Sequence, residues 1–143
     1  MTRLDKPRVL IADRNDRTVS RLAQLLAENS YSVVASVASG AEAVTGSQWL
    51  RPDLVFMGVD LEGDVGGLEA AEEISITTPT KIVFLGDSHL RHSLDRQRAP
   101  EAIGFVKSSA DDETLLSMAD ALARREMHSP SEASEWGTTF FGG

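Results

Sequence analysis

The feature that most limits how this chain can fold is the run at residues 54–60 (LVFMGVD), a short apolar stretch with turn-forming residues on both sides. A run of this length, preceded by Pro52 and followed by an acidic, glycine-containing segment, is typical of a strand buried on both faces. Short runs of the same kind recur at residues 8–12, 81–85 and 102–106, and residues 31–37 alternate as a further strand. Such strands belong to sheets that carry helices on both sides.

The stretches between these runs have the period of amphipathic helices. After the first run, apolar residues recur at helical spacing at Val19, Leu22, Leu25 and Leu26. Asn15 or Asp16 can cap this helix, and Ser109 with Asp112 resembles the capping box of the last one. The other predicted helices span residues 41–50, 68–76 and 89–98. The alternation predicts a doubly wound α/β domain, with a five-stranded parallel sheet and five helices in three α/β/α layers.

The composition excludes several classes of function. A net charge of −8 over 143 residues argues against sequence-independent binding of DNA or RNA, which needs clustered cations. The chain has no cysteine, and therefore no disulfide, no thiolate metal site and no thiol nucleophile. No apolar stretch approaches the roughly 18 residues that span a bilayer, and no secretory signal precedes the first strand. A cytoplasmic location is expected.

Several residues, in this order and spacing, resemble the receiver domain of bacterial two-component response regulators. They are residues 9–13 at the first strand, 52–55 entering the third strand, 66–69 at the third helix and 104–106 at the fifth strand. The resemblance covers about residues 8–125. It implies a flavodoxin-like receiver fold over residues 1–126, followed by a tail at residues 127–143, and signal transduction as the setting.

The same resemblance implies which positions would carry phosphorylation. A working receiver has an aspartate acceptor at the end of the third strand, two acids that hold Mg²⁺, a Thr or Ser ending the fourth strand and a Lys ending the fifth. In this chain the acceptor position is Gly58 and the hydroxyl position is Gly86. Of the acid pair, Asp13 is present and its neighbour is Arg14. The resemblance thus implies a pseudo-receiver without phosphorylation chemistry, with no cofactor and with Mg²⁺ binding weak or absent.

The lysine position is ambiguous in the sequence. Ungapped counting over residues 102–116 puts Ser108 at this position and Lys107 one residue before it. A one-residue offset in a strand points a side chain to the opposite face, although a local shift would bring Lys107 back. Phe105 matches the family's aromatic switch position, and it is equally consistent with an ordinary core residue.

Asp60 provides the main alternative to a loss of phosphorylation. It lies two residues after Gly58, and residues i and i+2 share a face in a strand. Asp60 can therefore be a displaced phosphoacceptor or, with Asp13, a weak metal site. A structural role is favoured by Arg14, since a guanidinium can neutralise either carboxylate in place of a cation. A further alternative is a small-ligand sensor in the space left by Gly58 and Gly86.

The tail at residues 127–143 combines Ser, Glu and Gly with three aromatic residues, Trp136, Phe140 and Phe141. It is either a disordered tail or a segment that docks on this domain or on a partner, because aromatic anchors are enriched at interfaces. No helix-turn-helix module follows the domain, so no nucleic-acid partner is expected.

The leading interpretation is a stand-alone, non-enzymatic regulator that works through phosphorylation-independent protein–protein interaction. By the resemblance, the surface for a partner or a homodimer is formed by the fourth and fifth strands and the helices that follow them. The helix predicted over residues 89–98 has weak periodicity, and switching elements are drawn from regions of low local stability.

Overall fold

The structure is a computed structural model that describes residues 6–59, 61–86 and 102–123 of the chain. In these residues the strands are β1 (Arg8–Ala12), β2 (Ser32–Val37), β3 (Leu54–Gly58), β4 (Lys81–Gly86) and β5 (Ala102–Lys107). The helices are α1 (Asp16–Glu28), α2 (Gly40–Leu50), α3 (Gly67–Thr77) and α4 (Asp112–Ala123), which is the last of the predicted helices. The helix predicted over residues 89–98 and the tail lie outside the described residues.

The five strands form one parallel sheet in the order β2-β1-β3-β4-β5. The chain moves from β1 to one neighbour, β2, and then crosses back to place β3 on the other side of β1. In open α/β sheets, ligands bind beyond the carboxyl ends of the strands at such a reversal. The predicted doubly wound fold is confirmed, and the point of reversal lies between β1 and β3.

Two apolar layers cover the two faces of the sheet. Helices α1 and α4 pack on one face, with the layer formed by residues that include Leu22, Leu26, Phe56, Leu115 and Ala119. Helices α2 and α3 pack on the other, with a layer that includes Leu10, Ala43, Val55, Ala70 and Ile74. All five residues of β3 are buried, as expected for a strand between two helical layers.

The start of α1 follows the sequence prediction. Asn15 is the N-cap, and its side-chain oxygen accepts hydrogen bonds from the backbone N–H groups of Arg17 (2.9 Å) and Thr18 (3.2 Å). These contacts satisfy two of the backbone donors that the first turn leaves without a partner in the helix. The cap fixes the direction in which the chain leaves β1, and so it helps to define the edge described below.

The start of α4 differs from the sequence prediction. The cap is Asp111 and not Ser109: the Asp111 carboxylate accepts the Thr114 N–H at 2.9 Å, and the helix begins at Asp112. Ser109 lies in a turn too far upstream to reach the first free N–H groups. A hydrogen bond from the Thr114 side chain, a second from its backbone and the charge of Arg21 hold the pKa of Asp111 below its usual value.

No helix in residues 6–59, 61–86 and 102–123 is long and apolar enough to cross a membrane.

Candidate functional site at the carboxyl edge of the sheet

The carboxyl ends of four strands meet beside the point where the strand order reverses. Gly58 ends β3, Gly86 ends β4 and Lys107 ends β5, while Asp13 directly follows β1. The register places Gly58 beside Leu85 and Gly86 beside Lys107. The fold thus brings these predicted site positions to one edge. Asp60 lies outside the described residues.

Asp13 is a buried acid at this edge, with 9% of its surface exposed. Its Oδ1 accepts the backbone N–H of Asn15 at 2.8 Å, and its own N–H donates to the Val37 carbonyl at 3.0 Å. The chain therefore holds the carboxylate in place as it turns from β1 into the cap of α1. A hydrogen bond to a charged acceptor contributes about 1.5–3 kcal/mol, enough to define the orientation of this side chain.

Gly58 lies directly against that carboxylate. A Cβ atom built on Gly58 would be 2.8 Å from Asp13 Oδ2, 3.2 Å from Asp13 Cγ and 3.1 Å from the Ala12 carbonyl oxygen. Separations under 3.0 Å essentially never occur for real Cβ atoms, so something would have to shift. The Asp13 carboxylate occupies the space in which any side chain at position 58 would begin.

Gly67, the first residue of α3, brings that helix onto the end of β3. Its N–H donates to the Val59 carbonyl at 3.1 Å. A Cβ atom on Gly67 would lie 2.2 Å from the Gly58 carbonyl oxygen and 2.9 Å from Val59 Cα, both of them backbone atoms. In the sequence this glycine stands out only as part of the resemblance at residues 66–69, and its packing role was not predicted. The available signal was a glycine pair between a buried strand and a helix.

The segment between β3 and α3 is attached to the turn between β2 and α2. The Glu62 N–H donates to the Ala38 carbonyl at 3.0 Å, and Glu62 forms an isolated parallel bridge with Ser39. A Cβ atom on Gly40 would lie 2.2 Å from the Val65 carbonyl oxygen, so the two segments are in close backbone contact. This side of the edge is therefore built from main-chain contacts.

The end of β5 shows where Lys107 and Ser108, the two candidates for the lysine position, lie. Phe105 is partly buried against the layer with α2 and α3, whereas Val106 belongs to the layer with α1 and α4. Side chains alternate along a strand, so Lys107 lies on the same side of the sheet as Phe105. Lys107 is exposed, and the Ser108 N–H donates to the Gly86 carbonyl at 3.1 Å. The strand thus delivers Lys107 as its last residue at this edge.

Arg14 is exposed and follows Asp13. Among residues 6–59, 61–86 and 102–123, no three histidine, aspartate or glutamate side chains come together in a way that could hold a metal ion. The suggested pairing of Asp13 with Asp60 involves a residue outside these ranges and stays a prediction.

Known proteins resemble this chain in sequence and in fold. The profile described as "Response regulator receiver domain" matches residues 9–120. The transcriptional regulatory protein PdtaR of Mycobacterium tuberculosis is 33% identical over 99 residues, which cover 69% of this chain and 48% of PdtaR. A protein-glutamate methylesterase/protein-glutamine glutaminase of Haloarcula marismortui is 33% identical over 81 residues, covering 57% of this chain and 22% of the relative.

Among solved structures, the signal receiver domain of a modulated diguanylate cyclase from Desulfovibrio desulfuricans G20 superposes with a TM-score of 0.78. It is 24% identical and covers 86% of this chain and 98% of its own, so this likeness supports the fold. The chain spans about half the length of the PdtaR sequences that it matches. On the extent of the profile match, which takes in residues 9–120, this chain belongs to the response regulator receiver domain family.

Proposed function

We propose that this chain is an atypical receiver that acts in signal transduction through protein–protein contacts and does not accept phosphate at the end of β3. The observation that carries the proposal is the contact between Asp13 and Gly58. Phosphoryl transfer needs an oxygen nucleophile in line with the phosphorus and cations that neutralise the developing charge. Gly58 offers no nucleophile, and the Asp13 carboxylate stands where a side chain at position 58 would begin.

The cation side of the site supports the same proposal. Arg14 occupies the position at which the resemblance calls for the second acid of a Mg²⁺ pair. A guanidinium beside Asp13 disfavours a divalent cation by charge repulsion and can itself neutralise a carboxylate. We therefore propose that Mg²⁺ binding is weak or absent, that no other cofactor is needed, and that the chain is not an enzyme.

Such a domain passes on its signal by binding a partner through one of its surfaces. The partner we propose is another protein or a second copy of this chain. The proposed contact face consists of β4, β5 and α4 together with residues 89–98. It includes the exposed Lys107 and the exposed acids at the start of α4, Asp111 and Asp112. The net charge of −8 favours a protein over a nucleic acid as the partner.

The test is an intact-mass measurement after incubation with acetyl phosphate and Mg²⁺. We expect no phosphoryl adduct on the natural chain, nor on Asp60→Asn or Asp13→Asn. An adduct that disappears in Asp60→Asn would overturn the proposal and identify Asp60 as a displaced acceptor. An adduct that disappears only in Asp13→Asn would overturn it in favour of phosphorylation on Asp13, directly after β1.

A matched variant tests the role given to Arg14. Arg14→Asp restores the second acid, and we expect it to raise Mg²⁺ affinity in a calorimetric titration, whereas Arg14→Gln removes the cation without adding a ligand. Equal Mg²⁺ affinity in both variants and in the natural chain would contradict the account of this edge. A pull-down with the full chain, compared with Lys107→Glu, then tests whether the proposed face carries the partner.

A further inference from the structure

Strand β2 is an outer strand of the sheet, and its outer side is open in the described part of the chain. The Ser32 N–H donates to the Pro7 carbonyl at 2.9 Å, and the Val37 carbonyl accepts the Asp13 N–H at 3.0 Å, so these residues bond toward β1. Backbone groups alternate in direction along a strand, and those of Val33 and Ser36 therefore point away from β1. They form a template for one more strand.

The outer side of β2 lacks the charges that usually protect such a strand. Residues 29–41 contain no Asp, Glu, Lys, Arg or Pro. All six residues of β2 are exposed or half-exposed, and four of them are valine or alanine. A register shift against β1 between Val9 and Leu10 is the only protective irregularity along the described strand. The strand is therefore suited to pairing with a further uncharged segment.

A hydrogen bond joins the last turn of α4 to the residue that precedes β2. The Tyr31 hydroxyl donates to Asp120 Oδ1. Tyr31 directly precedes β2, and Asp120 lies in the last turn of α4, which ends at Ala123. Residues 124–135 can span up to about 40 Å when extended. That is roughly twice the 20 Å length of a six-residue strand, so the end of the tail can reach any point on β2.

The end of the tail has the composition of a strand. Residues 136–141 (WGTTFF) carry no charge and consist largely of aromatic and β-branched residues, which are favoured in strands. The segment has the same length as β2. Residues 124–135, by contrast, include Arg124, Glu132 and Glu135 as well as Pro130, as suits a connecting segment.

We propose that residues 136–141 add to the outer side of β2 as a sixth strand of the same molecule. The backbone groups of Val33 and Ser36 would supply the hydrogen bonds, and alternate tail side chains would extend the two apolar layers. Attachment in the same chain gives an effective concentration in the millimolar range, so even a weak strand pairing is populated. This inference does not depend on whether the domain is phosphorylated.

Hydrogen exchange on the full chain tests the pairing. Thr139→Pro removes a backbone donor in the middle of the segment, whereas Thr139→Ala keeps it and serves as the matched control. We expect the proline variant to raise the exchange rates of the Val33 and Ser36 amides by on the order of tenfold or more, with β4 unchanged. Equal exchange in the natural chain, in both variants and in a chain ending at Glu126 would overturn the proposal.

Disulfide trapping distinguishes the occupants of the outer side. The chain has no cysteine, so Ser36→Cys combined with a single cysteine at position 137, 138, 139 or 140 reports one pair at a time. We expect intramolecular disulfides that favour alternate tail positions, and none with Thr45→Cys on the exposed side of α2. Disulfides between molecules would overturn the proposal in favour of a second copy. Equal trapping at every tail position would overturn it in favour of a tail without a fixed register.

Discussion

The substitution Gly58→Ala gives a direct measure of how the carboxyl edge of the sheet is built. The added methyl group would start 2.8 Å from Asp13 Oδ2 and 3.1 Å from the Ala12 carbonyl oxygen. The Asp13 side chain is buried and hydrogen-bonded to the Asn15 N–H, so it cannot move aside without losing that bond. We predict that Gly58→Ala is destabilising, and that the cause is the steric contact between the added methyl group and the Asp13 carboxylate.

The magnitude follows from two opposing effects. Forcing a methyl group into a packed site costs about 1–3 kcal/mol. Replacing glycine by alanine within a strand recovers about 0.5–1 kcal/mol of backbone entropy. The net loss in the free energy of unfolding therefore lies between about 0 and 2.5 kcal/mol, and mid-range values of both effects give about 1 kcal/mol. Asp13→Ala should lose about 1.5–3 kcal/mol, because it removes a hydrogen bond to a charged acceptor.

The two substitutions should not be additive. In the double variant the added methyl group occupies the space left by the Asp13 carboxylate. We therefore expect the double variant to lose less free energy of unfolding than the sum of the two single losses, by about 1 kcal/mol or more. Urea unfolding followed by circular dichroism at neutral pH measures all four chains. Effects that add to within about 0.5 kcal/mol would show that Asp13 and Gly58 do not interact, and would refute the reasoning.

Three further predictions concern contacts outside that pair. Gly67→Ala should lower the free energy of unfolding by about 3 kcal/mol, since its methyl group meets backbone atoms and not a movable side chain; a loss below about 1 kcal/mol in urea would contradict this. Tyr31→Phe should cost about 1 kcal/mol through loss of the hydrogen bond to Asp120, and Asp120→Ala should add little to it in the double variant. Asp111→Ala should be destabilising at neutral pH. Because the folded pKa of Asp111 is lowered, its contribution is fully present above the ordinary Asp pKa and is lost as the pH falls through the lower, folded pKa. Thermal melts of the natural chain and of Asp111→Ala that differ as much near about pH 2 as at pH 7 would refute the cap.

Much of the fold could be predicted because its signals are local. The buried strand at residues 54–58 is recognisable as an apolar run. The helical spacing of Val19, Leu22, Leu25 and Leu26 predicts the buried side of α1. Asn15 was predictable as a cap because it directly precedes the helical pattern. The cap of α4 was predicted wrongly because Ser109 and Asp112 match the capping-box spacing, whereas Asp111 is closer to the helix start and takes the role.

The site was predictable as a set of positions but not as an arrangement. Strand ends and a family resemblance predict that Asp13, Gly58, Gly86 and either Lys107 or Ser108 lie at one edge. In the structure Gly58, Gly86 and Lys107 end β3, β4 and β5, and Asp13 follows β1. The contact between Asp13 and Gly58 depends on a side-chain orientation fixed by the Asn15 N–H, which no spacing in the sequence reveals. The register at the end of β5 likewise required the pairing of Gly86 with Lys107.

Helix α4 contacts helix α1, although the two helices are far apart in the sequence. Arg21 in α1 donates to the Ala110 carbonyl at 2.5 Å and forms an ion pair with Asp112 at 2.9 Å, 91 residues away in sequence. Leu115, Ala119 and Leu122 complete the apolar layer that covers α1.

During synthesis, the apolar side of α1 therefore stays partly exposed until α4 has been made. At about 5–20 residues per second, roughly 5–18 s separate the appearance of Arg21 from that of Asp112. Leu22, Leu25 and Leu26 lack part of their cover throughout that interval. The nascent chain should depend on the ribosome surface or on chaperones until nearly the whole domain has been made, and rare codons placed before residue 112 should lower the yield of folded protein.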